Sequence, residues 1–154
     1  MRLSDILRPG GVKVLGAASS KRRLFQDLGE MAQGAFGLDA IEVCEALTAR
    51  EGMGPTGVGH GVALPHARLA GLDRVQGLFL RLDRAIDFDA VDRQPVDLVF
   101  CLLAPAASGV EHLKALALVS RTMRDPATCQ KLRSNADPAT LHTILTEGPA
   151  FLAA

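Results

Sequence analysis

The chain has 154 residues, 48% of them hydrophobic, enough to fill the core of one compact domain. Its 17 acidic and 17 basic residues cancel, so no net field recommends nucleic acid or an anionic membrane as partner, and a protein or small ligand fits better. Trp and Tyr are absent and the few Phe residues sit among aliphatic neighbours, which leaves no stacking platform for single-stranded nucleic acid.

After the turn at Pro9-Gly10-Gly11, Val12 to Leu15 alternate like a short strand, and Ser19 or Ser20 can cap the helix that follows. Leu24, Leu28, Met31 and Ala35 recur at helical spacing and form its buried stripe. A second helix is predicted from Asp39 to about Arg50, capped by Asp39, buried through Ile41, Cys44 and Leu47, and ended by the breaker Gly52-Met-Gly-Pro55. Gly57 to His66 reads as a glycine-rich turn feeding a short apolar strand that Pro65 terminates, with His66 at the strand end. Val75–Leu82 and Val96–Leu103 are the expected middle of the sheet, the second being almost continuously apolar. Between them, Asp83 to Pro95 is a polar connection in which Ile86, Phe88 and Val91 alternate against acids. From Val110 the period turns helical, His112, Leu116, Val119 and Met123 sharing a face with Leu113 and Ala117 beside it. Asp125-Pro126 and Asp137-Pro138 each open a further helix, the last ending near Glu147-Gly148. Strand and helix segments alternate without repeats, so an α/β domain over residues 1–154 is expected.

Cys44, Cys101 and Cys129 are odd in number and widely separated, which suits reduced thiols better than a disulfide framework. The first ten residues have no apolar run behind their charges, and Leu98 to Ala107 is about half the length of a membrane span and holds Pro105. A cytoplasmic protein without membrane insertion is therefore expected.

Among the four histidines, context singles out His66. Pro65 fixes the backbone before it, and Gly57, Gly59 and Gly61 leave room for bare amides to approach an anion. A neutral imidazole is available near pH 7 as a nucleophile, and phosphoryl transfer then needs cationic or hydrogen-bonding groups around three oxygens. Arg50 and Arg68 flank the glycine-rich segment and can supply guanidinium forks; His112, near the start of its helix, adds a ring at the positive end of a helix dipole. Spacing alone does not bring His112 to His66. Gly57-x-Gly-x-Gly61 precedes a strand rather than opening a helix, which argues against a dinucleotide loop. His60, His66 and Glu111-His112 match no metal spacing, so neither metal nor cofactor is expected. Asp87, Asp89 and Asp92 are most simply solvated loop acids, and His142, in the last helix, is assigned no role. Ser108 and Ser120 lack a nucleophile-elbow signature.

The segment Gly57-Val-Gly-His-Gly-Val-Ala-Leu-Pro-His66 resembles the signature of the fructose/mannitol-type (type-2) IIA domain of the bacterial phosphotransferase system. Ser19-Ser-Lys-Arg-Arg-Leu24, Phe88 to Leu98 and His112 to Ser120 resemble its nitrogen-type branch. The resemblance implies a mixed β-sheet with helices on both faces, a three-layer single domain. It also implies that His66 accepts the phosphoryl group, that Arg50 contacts it and that His112 stands beside it as a second histidine. The implied donor is an HPr-like (NPr-like) carrier charged by enzyme I from phosphoenolpyruvate. Two positions depart from the family pattern: His60 stands where asparagine is usual, and Ala67 where glycine is common. The function implied first is a regulatory phosphocarrier whose partners, such as transporters or sensor kinases, respond to its phosphorylation. A sugar-uptake IIA passing phosphate to a IIB domain is the alternative within the same chemistry, and a non-phosphorylated binding module the alternative from another class. The nitrogen-type middle and late segments, with no fused IIB or membrane domain legible, favour the first.

Overall fold

The computed structural model describes residues 1–107 and 109–147. Helix α1 (Leu3–Ile6) and a 3-10 turn (Pro9–Gly11) lead into β1 (Val12–Leu15), followed by α2 (Lys21–Phe36) and α3 (Ala40–Glu51). Three short strands come next, β2 (Gly57–Gly59), β3 (Val62–Ala63) and β4 (His66–Leu69), then the long β5 (Gln76–Ile86) and β6 (Val96–Pro105). Helices α4 (Val110–Met123), α5 (Pro126–Arg133) and α6 (Pro138–Glu147) complete the described part. The cap residues expected from the sequence form: Ser20 Oγ accepts from the Arg23 amide, Asp39 from those of Ile41 and Glu42, Asp125 from Thr128 and Asp137 from Thr140.

The sheet runs β1-β5-β6-β3-β2, with β4 also paired to β6. It is mixed: β1 is parallel to β5, β5 antiparallel to β6, and β3 and β4 both parallel to β6. Side-chain alternation sends Leu78, Leu80, Leu82, Val99, Cys101 and Leu103 to one face, against Leu24, Leu28, Val43 and Leu47 of α2 and α3. Phe79, Leu98, Phe100, Leu102 and Ala104 take the opposite face, against Val119, Leu132 and Leu141 of α4, α5 and α6. Two apolar clusters on one sheet make the expected three layers. The three cysteines are free thiols, Cys101 and Cys129 buried; burial pushes both of their pKa values up, so neither is poised as a thiolate.

Several expectations are corrected. Ile41 is 69% exposed and Cys44 only partly buried, while α3 buries Leu47 as expected and Val43 besides; two residues are about 200° around a helix, so Ile41 cannot share the Val43 stripe. In α4, Leu113 is likewise exposed while His112, Ala115, Val119 and Met123 are buried. Strand β5 extends to Ile86, which pairs with Val96, so the connection shortens to residues 87–95. Within it Phe88 is buried edge-on against Phe25, whereas Val91 is exposed.

The glycine-rich segment differs most from expectation. Rather than one turn and one strand, residues 57–63 form a hairpin, and β3 and β4 are a single edge line on β6 broken at Leu64-Pro65, since Val62 faces Leu98 and His66 faces Leu102 in unshifted register. Pro65 has no amide to give the ladder, so it interrupts the line instead of terminating it, and His66 opens β4. At the hairpin tip His60 (φ 57°) and Gly61 (φ 79°) both adopt left-handed conformations, the requirement of a two-residue type I′ turn. That requirement is met more cheaply by asparagine than by histidine, which accounts for the residue usual at position 60. Ala67 is an ordinary buried strand residue paired with Leu103, so it restricts nothing after His66.

Candidate functional site

His66 and Arg68 alternate with buried Ala67 along β4, and both turn toward α4. His112 lies in the first turn of α4, its ring 5.5 Å from that of His66 at an interplanar angle of 70°. Arg50 arrives from the last turn of α3, on the other face of the sheet, and reaches round the β4 edge. The two helical layers therefore meet at the break in the edge line.

Hydrogen bonding fixes the protonation of both rings. The Nδ1 of His66 lies 2.9 Å from the Leu64 carbonyl oxygen, which can only accept, so Nδ1 carries the proton. Its Nε2 then holds a lone pair, and the Nε–H of Arg50 donates to it at 3.2 Å. Leu64 sits in the strand break, where its carbonyl is available to the ring. His112 has the reverse arrangement: Arg68 Nε–H donates to His112 Nδ1 at 3.4 Å, and because a guanidinium only donates, the proton belongs on Nε2. That Nε2 is buried with no hydrogen-bond partner among the described residues, in a side chain only 5% exposed. A buried, unpaired N–H is costly and is a standing offer to an acceptor.

Burial pulls the pKa of His66 below the ordinary histidine value; its hydrogen bond to Leu64 opposes this, the charge of Arg50 adds to it and Glu51 resists it. His112 is lowered by burial first, then by His66 and Arg68. Both imidazoles are thereby biased toward the neutral form.

Arg50 is held by a second bond, from its guanidinium to the Gly54 carbonyl at 3.0 Å. The turn that presents Gly54 is in turn pinned by Glu51, which accepts from the amide and hydroxyl of Thr56 and from Lys21 at 3.2 Å. Lys21 lies over the Phe88 ring. Glu51, Thr56 and the Leu64 carbonyl were not foreseen from sequence; a backbone oxygen carries no signature, and Glu51 differs in nothing from any other acid ending a helix.

The glycines proposed as a phosphate loop each have a packing reason. A Cβ on Gly57 would meet Ala90 at 2.7 Å, one on Gly59 the Asp92 carboxylate at 3.3 Å, and one on Gly61 the Arg133 guanidinium and Asp97. Arg133 grips Asp97 and the His60 carbonyl, tying α5 to the hairpin. Arg68 joins His112 instead of the hairpin. Asp87, Asp89 and Asp92 are exposed; Asp87 and Asp92 accept from loop amides. His142 bonds the Leu7 carbonyl with Nε2, a tie between α6 and α1. Ser108 lies outside the described residues. No group of three or more His, Cys, Asp or Glu that could hold a metal occurs among the described residues.

A family model described as the phosphoenolpyruvate-dependent sugar phosphotransferase system, EIIA 2, matches residues 5–148. The chain belongs to this family. It is 42% identical over 153 residues to a nitrogen regulatory protein of Bradyrhizobium diazoefficiens, covering 99% of this chain and 100% of that one. A nitrogen regulatory protein of Escherichia coli is 37% identical over 148 residues, covering 96% and 91%. The crystal structure of nitrogen regulatory protein IIA-Ntr from Neisseria meningitidis superposes with a TM-score of 0.85 at 35% identity, covering 94% of this chain and 99% of that one. The chain is thus a phosphotransferase-system IIA component of the nitrogen-type branch, a phosphoryl carrier on an α/β fold.

Proposed function

We propose that His66 Nε2 is the phosphoryl acceptor of this EIIA domain, which spans residues 1–154, and that the phosphorylation state of His66 decides which proteins the domain binds. The observation that carries the reading is the lone pair of Nε2, faced by Arg50 and flanked by His112. In the transfer step the Nε2 lone pair forms the new N–P bond while the N–P bond of an HPr-like carrier's histidine breaks, its electron pair returning to that imidazole. The proton stays on Nδ1, donated to the Leu64 carbonyl throughout, so no base is required. Arg50 exchanges its bond to Nε2 for bonds to phosphoryl oxygens, and the His112 Nε2–H supplies another. Gly57, Gly59 and Gly61 then act by shaping the hairpin beside the site.

Met53, in the turn after α3, and Val110 and Leu113, in the first turns of α4, are exposed apolar side chains on the two elements that deliver Arg50 and His112. They suit the docking of another protein. Phosphorylation adds about two negative charges among them, which changes the partners the surface accepts, whether transporters or sensor kinases. A cytoplasmic location follows from this chemistry and accords with the finding that no described helix is long and apolar enough to cross a membrane.

Incubation with phosphoenolpyruvate, enzyme I and an HPr-like carrier is expected to put an acid-labile, base-stable phosphate on the protein. His66→Ala abolishes the label; equal labelling of that variant overturns the assignment. Rapid onward transfer to a IIB domain would replace the regulatory reading with a sugar-uptake one.

A further inference from the structure

Arg68 occupies an unusual position for a cation beside a phosphoryl site: it is exposed, and its hydrogen bond goes to the second histidine, not to the acceptor. An imidazole in water divides its proton between two nitrogens, and only one of the two tautomers of His112 is useful here. With Nε2 protonated, the buried nitrogen is an unpaired donor on a ring centred 5.5 Å from that of the proposed acceptor. With Nδ1 protonated, the same buried nitrogen presents a lone pair to an anion and repels it. Among the described residues, the groups that could choose between them are the His66 ring and Arg68. Arg68 has no lone pair to offer, so the contact at Nδ1 exists only in the productive tautomer. Its charge also disfavours the imidazolium, which keeps Nδ1 free to accept.

We propose that Arg68 is a positioning residue that acts through His112: it holds that ring as the Nε2–H tautomer and so prepares the donor before the phosphoryl group comes. The inference rests on the reading of His66 as acceptor but concerns a property of the unphosphorylated protein. Without Arg68, His112 divides between tautomers, and the donor is lost in part of the population. The transfer rate falls by up to about tenfold, as for one charge-assisted hydrogen bond, while the concentration of carrier that gives half the maximal rate is unchanged.

Two measurements test this. Long-range nitrogen–proton correlation spectra of the unphosphorylated protein, at a pH where both rings are neutral, are expected to show His112 as Nε2–H in the parent and as a mixture in Arg68→Ala, with Arg68→Lys partly restoring the parent pattern. An unchanged His112 tautomer in Arg68→Ala overturns the proposal, whatever the protein's labelling behaviour. Transfer rates then complete a cycle with His112→Ala: if Arg68 acts through His112, removing it in that background costs nothing further. A second, full loss on top of His112→Ala overturns the positioning role in favour of direct phosphate contact. If the parent protein takes no label at all, the acceptor assignment of His66 fails, and the spectra still decide the tautomer question.

Discussion

The chemistry of the site is set by which hydrogen-bond partner can only donate and which can only accept. Leu64 offers His66 a carbonyl, and Arg68 offers His112 a guanidinium, so two histidines 5.5 Å apart hold opposite tautomers, the proposed acceptor with a lone pair on Nε2 and its neighbour with a proton there. Both also have pKa values below the ordinary one, burial being the largest cause. A phosphoryl acceptor must be neutral, and a lowered pKa extends the neutral range downward. The acid limb of the labelling rate against pH is therefore expected below the free-histidine value of about 6.5. Arg50→Ala removes one contribution that lowers the pKa, so it shifts that limb upward as well as slowing transfer. An Arg50→Ala limb that moves to lower pH would contradict the electrostatic account. The family resemblance named His66, Arg50 and His112, and the structure brings these three side chains together. The atoms that tell them apart were not legible, because they depend on a backbone carbonyl exposed by a strand break and on an arginine 44 residues from its partner.

At the scale of elements, local signals with a single physical cause were readable and those with competing causes were not. Asp39, Asp125 and Asp137 cap helices where expected, since a cap is decided by a side chain and the amides two or three residues on. Which stripe of α3 is buried depends on what α3 packs against, and apolar Ile41 was a false lead. The run from Gly57 to His66 contains a hairpin, a break and a new strand within ten residues, and periodicity cannot resolve elements of two or three residues. Its tip carries a clear prediction. His60 sits at φ 57° ahead of Gly61 at φ 79°, where asparagine adopts the left-handed region at lower cost. His60→Asn is expected to raise the unfolding free energy by roughly 0.5 kcal/mol in urea titrations, with no change in labelling rate. Gly61→Ala goes the other way, because its Cβ meets the Arg133 guanidinium in a backbone conformation that alanine resists; a loss of at least about 1 kcal/mol is expected. A stabilised Gly61→Ala protein would mean that the hairpin does not take the I′ form in solution.

Over the whole molecule, the sheet separates two apolar layers, and the site lies where both reach one edge, Arg50 coming from one layer and His112 from the other. Preorganising two neutral imidazoles there, one partly buried and one buried, has a consequence for stability. Above the ordinary histidine pKa both rings are neutral in the folded and the unfolded chain, and pH has no leverage through them. As pH falls below about 6.5 the unfolded chain takes up protons that the folded protein still refuses, so the unfolded state gains and stability drops until the lowered folded values are passed. Asp27, whose pKa burial raises, works in the opposite direction, its contribution falling as pH rises from its ordinary value of 3.8. The formal net charge is zero at pH 7, so global repulsion adds little near neutrality. Unfolding free energies from urea titrations are accordingly expected to decline between pH 7.5 and pH 5.5. His66→Gln/His112→Gln lowers or raises the curve as a whole through packing, but it should flatten the slope. If the slope survives in that double variant, the acid sensitivity lies outside the two site histidines, and the site does not hold its imidazoles neutral at the expense of the fold.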